Sequence, residues 1–217
     1  MGHRASRGAH GTLHTGRGVR RTRTVGGSWY WSHSSVPPES DMNRYLFIDE
    51  RKHGGYLLVA AVIEAHQVPT ARRVVGALLL PGQRRIHMKA ENPGRKRTIA
   101  RALAEAGIPA VVYDAGRHYR TQREARQQCL RAIVSDHADG VETLMVIEED
   151  RTLVDSDRRI LYQAVREAGC VDCLHYDHRR AESERLLGIP DAIAWCWGSG
   201  NPWRTLVQPS VRRVRQV

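Results

Sequence analysis

Tyr45-Leu46-Phe47-Ile48-Asp49-Glu50, continued by Arg51-Lys52-His53-Gly54-Gly55 and a second apolar run from Tyr56 to Ile63, is the stretch that decides how this chain is read. Four consecutive apolar residues without helical spacing make a strand buried on both faces, and Asp49-Glu50 mark the point where it emerges. Lys52-His53-Gly54-Gly55 supplies turn residues, so two strands, at 44–49 and 55–63, form a hairpin. Acids at the end of such a strand stand at the rim of a sheet, where water and divalent cations reach them.

Outward from the hairpin, strand-like and helix-like periodicities alternate, which is the pattern of an α/β sandwich and not of a bundle. The spacing predicts a helix over 68–80 stopped by Pro81-Gly82, a short strand through Ile86 to Met88, and a helix from Pro93 to Gly107. A strand over 108–113, a helix over 120–135 and a buried strand from Val141 to Ile147 follow, the last running into Glu148-Glu149-Asp150. A helix from Asp155 to Ala168, a strand over 171–176 and a helix over 190–198 complete the domain, which we place at 42–207.

Residues 1–41 are an aperiodic mixture of Gly, Ser, Thr, His and Arg, and read as a disordered basic tail, with Met42 as an alternative start of translation. Residues 208–217 read as a second basic tail. The whole chain carries 34 Lys and Arg against 23 acids, a formal net charge of +11. Six Arg against Glu39 and Asp41 give the first 41 residues +4, so +7 remains on the rest and a polyanionic partner is favoured, with nucleic acid the expected one. No apolar stretch is long enough to cross a membrane and the N-terminus has no apolar signal segment, so the chain is read as cytoplasmic, with its four cysteines as thiols.

Three acidic points follow core elements: Asp49-Glu50, Glu148-Glu149-Asp150, and Asp191 within Ile189-Pro190-Asp191-Ala192-Ile193-Ala194. Hard oxygen ligands grouped at a sheet edge are what Mg²⁺ or Mn²⁺ requires, and Asp49 is the principal candidate. Neighbours on a strand point to opposite faces, so Glu50 shares the site only if the strand curls; otherwise it caps or pairs with an Arg. Asp191 is either a metal ligand or an N-terminal helix charge favoured by the dipole.

Taken together, Asp49-Glu50, the segment Arg84-Arg85-Ile86-His87-Met88-Lys89, the strand into Glu149-Asp150-Arg151, and Ile189-Pro190-Asp191-Ala192-Ile193-Ala194 resemble the domain of unknown function 3800 family over residues 44–200. That resemblance implies a ribonuclease-H-like fold: a mixed sheet beginning with an antiparallel hairpin, with helices on both faces. It implies acids that bind divalent metal and hydrolyse phosphodiesters. Carried over, Asp49, Glu50, Asp150 and Asp191 are the catalytic and metal-ligating candidates, Glu149 is the reserve ligand, and His87 orients water or contacts phosphate. The family's late Gln-x-x-Asp appears here as Gly188-Ile189-Pro190-Asp191, with Gly in the Gln position.

Arg95, Lys96, Arg97 and Arg101 open one helix, and Arg117, Arg120, Arg123 and Arg126 approach another; both sets read either as tracks for a phosphate backbone or as solvated faces. Cys170, Cys173, His175 and His178 are potential zinc ligands, but their spacing is compressed and a strand would splay them, so buried thiols and surface histidines are preferred. Trp195, Trp197 and Trp203 read as packing residues. The phosphate-loop, dinucleotide and nucleophile-elbow patterns are missing. The leading expectation is a metal-dependent nuclease; its rival is a non-catalytic nucleic-acid-binding or protein-interaction module on the same fold.

Overall fold

The computed structural model describes Pro38 and residues 41–217. Apart from Pro38 and Asp41, the expected N-terminal tail lies outside the described residues. The hairpin forms as its sequence requires: β1 (Arg44–Arg51) pairs antiparallel with β2 (Tyr56–Glu64), Asp49 opposite Val59. Next come a 3-10 turn (Ala65–Gln67), α1 (Val68–Leu78), α2 (Pro93–Glu105), β3 (Ala110–Gly116) and α3 (Gln122–Asp136). β4 (Thr143–Glu148), α4 (Val154–Glu167), β5 (Leu174–Arg179), α5 (Gly188–Ser199), α6 (Trp203–Val207) and β6 (Val211–Gln216) finish the chain.

The six strands make one mixed sheet in the order β5-β4-β1-β2-β3-β6. β2 is antiparallel to both of its neighbours, whereas β4 runs parallel to β1 and β5, and β6 parallel to β3. The period of two along β1 divides the core. Tyr45 and Phe47 join Leu144 and Val146 of β4 in a layer with α1, α2, α5 and α6. Leu46 and Ile48 join Met145 and Ile147 in a second layer with α3 and α4. No helix among the described residues is long and apolar enough to cross a membrane.

Three expectations change. Residues expected as a basic C-terminal tail form the edge strand β6, which buries Val211 and aims Arg213 and Arg215 at Asp136 of α3. Charged edge strands protect a sheet from further pairing, and that charge is what made the segment read as a tail. Ile86 and Met88 are buried alternately like a strand, yet the backbone turns, with the Ala90 amide donating to the His87 carbonyl. β5 begins three residues later than expected because Cys170–Cys173 turns first, the Leu174 amide closing back on the Cys170 carbonyl.

Candidate functional site

β1 and β4 lie side by side with Ile48 in register with Ile147, so Asp49 and Glu148 are the next residues on the two parallel strands. Parity puts both on the face covered by α5: Asp49 continues Tyr45 and Phe47, and Glu148 continues Leu144 and Val146. Asp49 is 9% exposed and stands beside Glu148 at the neighbouring strand end. Burial, the Glu148 charge, and then the Asp191 charge push Asp49 well above the usual carboxylate range. The Glu50 amide donates to Asp49 Oδ1 at 2.7 Å.

Asp191, in the first turn of α5, faces this pair from across the cleft. Its Oδ2 accepts the Met88 amide at 2.9 Å and lies 3.7 Å from His87 Nδ1. That carboxylate raises the His87 pKa against a smaller opposing effect of burial. Gly188 allows this arrangement, since a Cβ there would stand 2.9 Å from Ile86 Cβ. The 86–88 segment therefore packs directly on α5, and its main chain orients Asp191.

Asp49, Asp191 and His87 line one cleft, and the three remaining sequence candidates, Glu50, Glu149 and Asp150, line it too but are engaged by cations or turn donors. Glu50 points to the other face, where Arg126 Nη1 (2.6 Å), Lys52 Nζ (2.6 Å) and the Tyr56 hydroxyl hold it. The strand does not curl, and Glu50 takes the paired role. Asp150 stands on the rim and caps the turn into α4, accepting the Thr152 amide at 3.0 Å and hydroxyl at 2.7 Å; these bonds, the hydroxyl's first, lower its pKa. Glu149 faces Arg151 and Arg180 at 3.4 and 3.7 Å. Glu148 occupies the place assigned to Asp150, and the alternation Leu144, Val146, Glu148 was the signal that identifies it.

Arg126, read from sequence as part of a surface track, is 3% exposed. Its guanidinium grips Asp157 with Nε at 2.9 Å from Oδ1 and Nη2 at 2.7 Å from Oδ2, while Nη1 reaches Glu50. His178 Nε2 lies 3.1 Å from the same Asp157. Of the other zinc candidates, His175 Nε2 lies 3.5 Å from Glu142 without a hydrogen bond, and the Cys170 thiol donates to the Val165 carbonyl at 3.6 Å. Among the described residues, no three His, Cys, Asp or Glu side chains are grouped closely enough to form a metal cage by themselves.

The carboxylates open into a cleft of about 800 Å³ whose wall also includes His87, Lys89 and Trp195. Arg51 bridges the hairpin and α5, donating from Nη1 to the Trp195 carbonyl at 2.5 Å and to Ser199 Oγ at 3.0 Å. Comparison with protein-family models, curated proteins and solved structures finds no match. What the cleft does is argued from its own groups.

Proposed function

We propose that the cleft is the active site of a divalent-metal-dependent phosphodiesterase acting on nucleic acid, on a ribonuclease-H-like fold. The observation that carries this reading is the meeting of Asp49 and Glu148 at adjacent strand ends, with Asp191 facing them from α5. Asp49 and Glu148 at adjacent strand ends, with Asp191 on the wall of the same cleft, make an acidic site in which Asp49 is shifted upward first by burial and then by its neighbours, a charge imbalance that a cation would relieve. Mg²⁺ commonly uses only one or two carboxylates and completes its shell with water and substrate phosphate, which suits a pair without a closed cage. A hairpin feeding a mixed sheet with helices on its two faces supports the fold reading.

Asp49 and Glu148 would hold Mg²⁺ or Mn²⁺, which when bound would supply an acidified water and neutralise charge on phosphoryl oxygens. The chain's own groups do the rest. Asp49, whose raised pKa favours its protonated form, would give up its proton as a cation binds. The Met88 amide fixes the direction of Asp191. His87, its pKa raised beside Asp191, presents a proton from the cleft wall to a phosphoryl or leaving oxygen. Lys52, Lys89 and Arg151 around the same cleft attract the polyanion.

The test is cleavage of labelled single-stranded, duplex and RNA-DNA hybrid substrates by the full chain with Mg²⁺ or Mn²⁺. Metal-dependent cleavage abolished in Asp49→Asn and Glu148→Gln but retained in Asp150→Asn is the expected result. Strand binding without turnover in the parent protein would replace the enzyme by a binding module. Cleavage undiminished by Glu148→Gln would overturn the ligand assignment.

A further inference from the structure

Beside the cleft, two tryptophans are each covered by a cation. Trp195 follows Asp191 by one turn of α5 and lines the cleft with it. Trp203 of α6 meets Trp195 edge-on, with ring centroids 5.0 Å apart at 81°. Lys96 Nζ sits 4.5 Å from the Trp195 centroid and the Arg97 guanidinium 5.3 Å from that of Trp203, both cations coming from the first turns of α2. Trp197, by contrast, is buried in the core, and Trp195 and Trp203 pack against that core from its edge. Trp195 and Trp203 are only partly buried, and among the described residues no carboxylate forms an ion pair with Lys96 or Arg97. Their neighbour Arg95 is engaged differently, by the Leu78 carbonyl and by Glu91.

We propose that Trp195, Trp203, Lys96 and Arg97 form a track that holds an unpaired nucleic-acid strand as it enters the carboxylate cleft. Ring faces serve bases and flexible cations serve phosphates, which is how proteins hold single strands without reading their sequence. Lys96 and Arg97 rest on the rings in the free protein and turn to phosphates when bases take their place. A duplex keeps its base faces stacked and gains nothing from the rings. An acidic peptide would use the cations but leave the rings idle. The direction of the strand rests on the phosphodiesterase reading of the cleft; the binding itself does not.

The test separates the two. Binding of labelled oligo(U), oligo(dT) and a blunt duplex is measured by anisotropy on full-length Asp49→Asn protein in chelator, so that no cleavage intervenes. The single strands are expected to bind more tightly than the duplex, and Trp203→Ala to weaken them roughly tenfold. Lys96→Ala is expected to lower the salt slope by about 0.7. Trp203→Phe, which keeps a ring and guards against a folding defect, should restore most of the binding. Unchanged single-strand affinity in both Trp203→Ala and Lys96→Ala overturns the track, as does equal loss of a poly-glutamate ligand, which would mark a protein-binding surface. If the parent cleaves nothing while these variants lose strand binding, the cleft reading fails and the track stands.

Discussion

Asp49 and Glu50 are neighbours in sequence, and the sheet sends them to two regions with opposite electrostatics. On one face, Glu50 joins Arg126, Asp157, Tyr56 and His178 in a network in which each acid meets a cation or donor inside the protein. Burial raises the Asp157 pKa, but hydrogen bonds from His178 and Arg126 outweigh it and hold the carboxyl below its ordinary value. On the other face, burial and then the like charges of Glu148 and Asp191 drive the Asp49 pKa up. Arg85 reaches Glu148 at 2.9 Å from the half-exposed flank, but Asp49 itself has no cation partner among the described residues. The first region completes its charge balance within the fold; the second leaves it to something bound from outside.

Removing a partner from the completed network should have the largest effect. Arg126→Met leaves Glu50 and Asp157 buried without their guanidinium and is expected to cost about 3–5 kcal/mol in urea unfolding. A cost below about 1 kcal/mol would mean that the two faces are not different in kind.

A second effect separates the network from a different buried group by pH. His137 is buried, its Nδ1 is 3.4 Å from Arg44 Nη1, and burial followed by the Arg44 charge pushes its pKa from 6.5 down to about 4. A depressed pKa in the fold means stability present above the unfolded value and lost as pH falls through the folded one. His137 should therefore cost about 3 kcal/mol between pH 6.5 and 4. The Asp157 contribution obeys the same sign but in a lower window, being present above its ordinary 3.8 and lost below it. Acid titration of stability should show both steps, and His137→Phe should remove only the upper one.

Gly198 tests whether the cleft depends on the hairpin's attachment to α5. A Cβ there would run into Cδ and Nε of Arg51, so Gly198→Ala should displace this side chain from the Trp195 carbonyl and Ser199. The expected cost is about 2 kcal/mol, with metal-dependent cleavage falling further than stability explains. Loss of stability with full activity per folded molecule would show that Arg51 does not position the cleft.

The smallest effect has the opposite sign. In chelator at neutral pH, Asp49→Asn removes a carboxylate whose ionised form the fold disfavours, and it is expected to stabilise the protein by about 1 kcal/mol in thermal unfolding. Destabilisation comparable to that of Arg126→Met would erase the contrast between the faces.

Much of this contrast was legible in local pattern. The apolar run of β1 with its Gly-Gly turn marks the hairpin, and the alternation of helix and strand periods marks an α/β sheet. Asp49 was readable as the acid of a buried strand end, and the same parity rule placed Glu50 on the other face, with pairing to an Arg as one of its alternatives. Applied to Leu144, Val146 and Glu148, that rule identifies the acid that Asp150 was expected to be. The segment around Ile86 reads as a strand but pairs with none, because alternating burial does not require ladder hydrogen bonds.

The sequence by itself determined the hairpin, most of the helices and strands, the burial of β1 and the opposite faces of Asp49 and Glu50, because side-chain alternation is a property of the local backbone. Only the tertiary structure decided that Glu148 lies beside Asp49, that Asp191 faces them, that Arg126 is buried between two acids, and that residues 211–216 close the sheet edge. These depend on the register of strands about 100 residues apart and on where helices cross the sheet, which the packing of the whole core sets and no local period encodes.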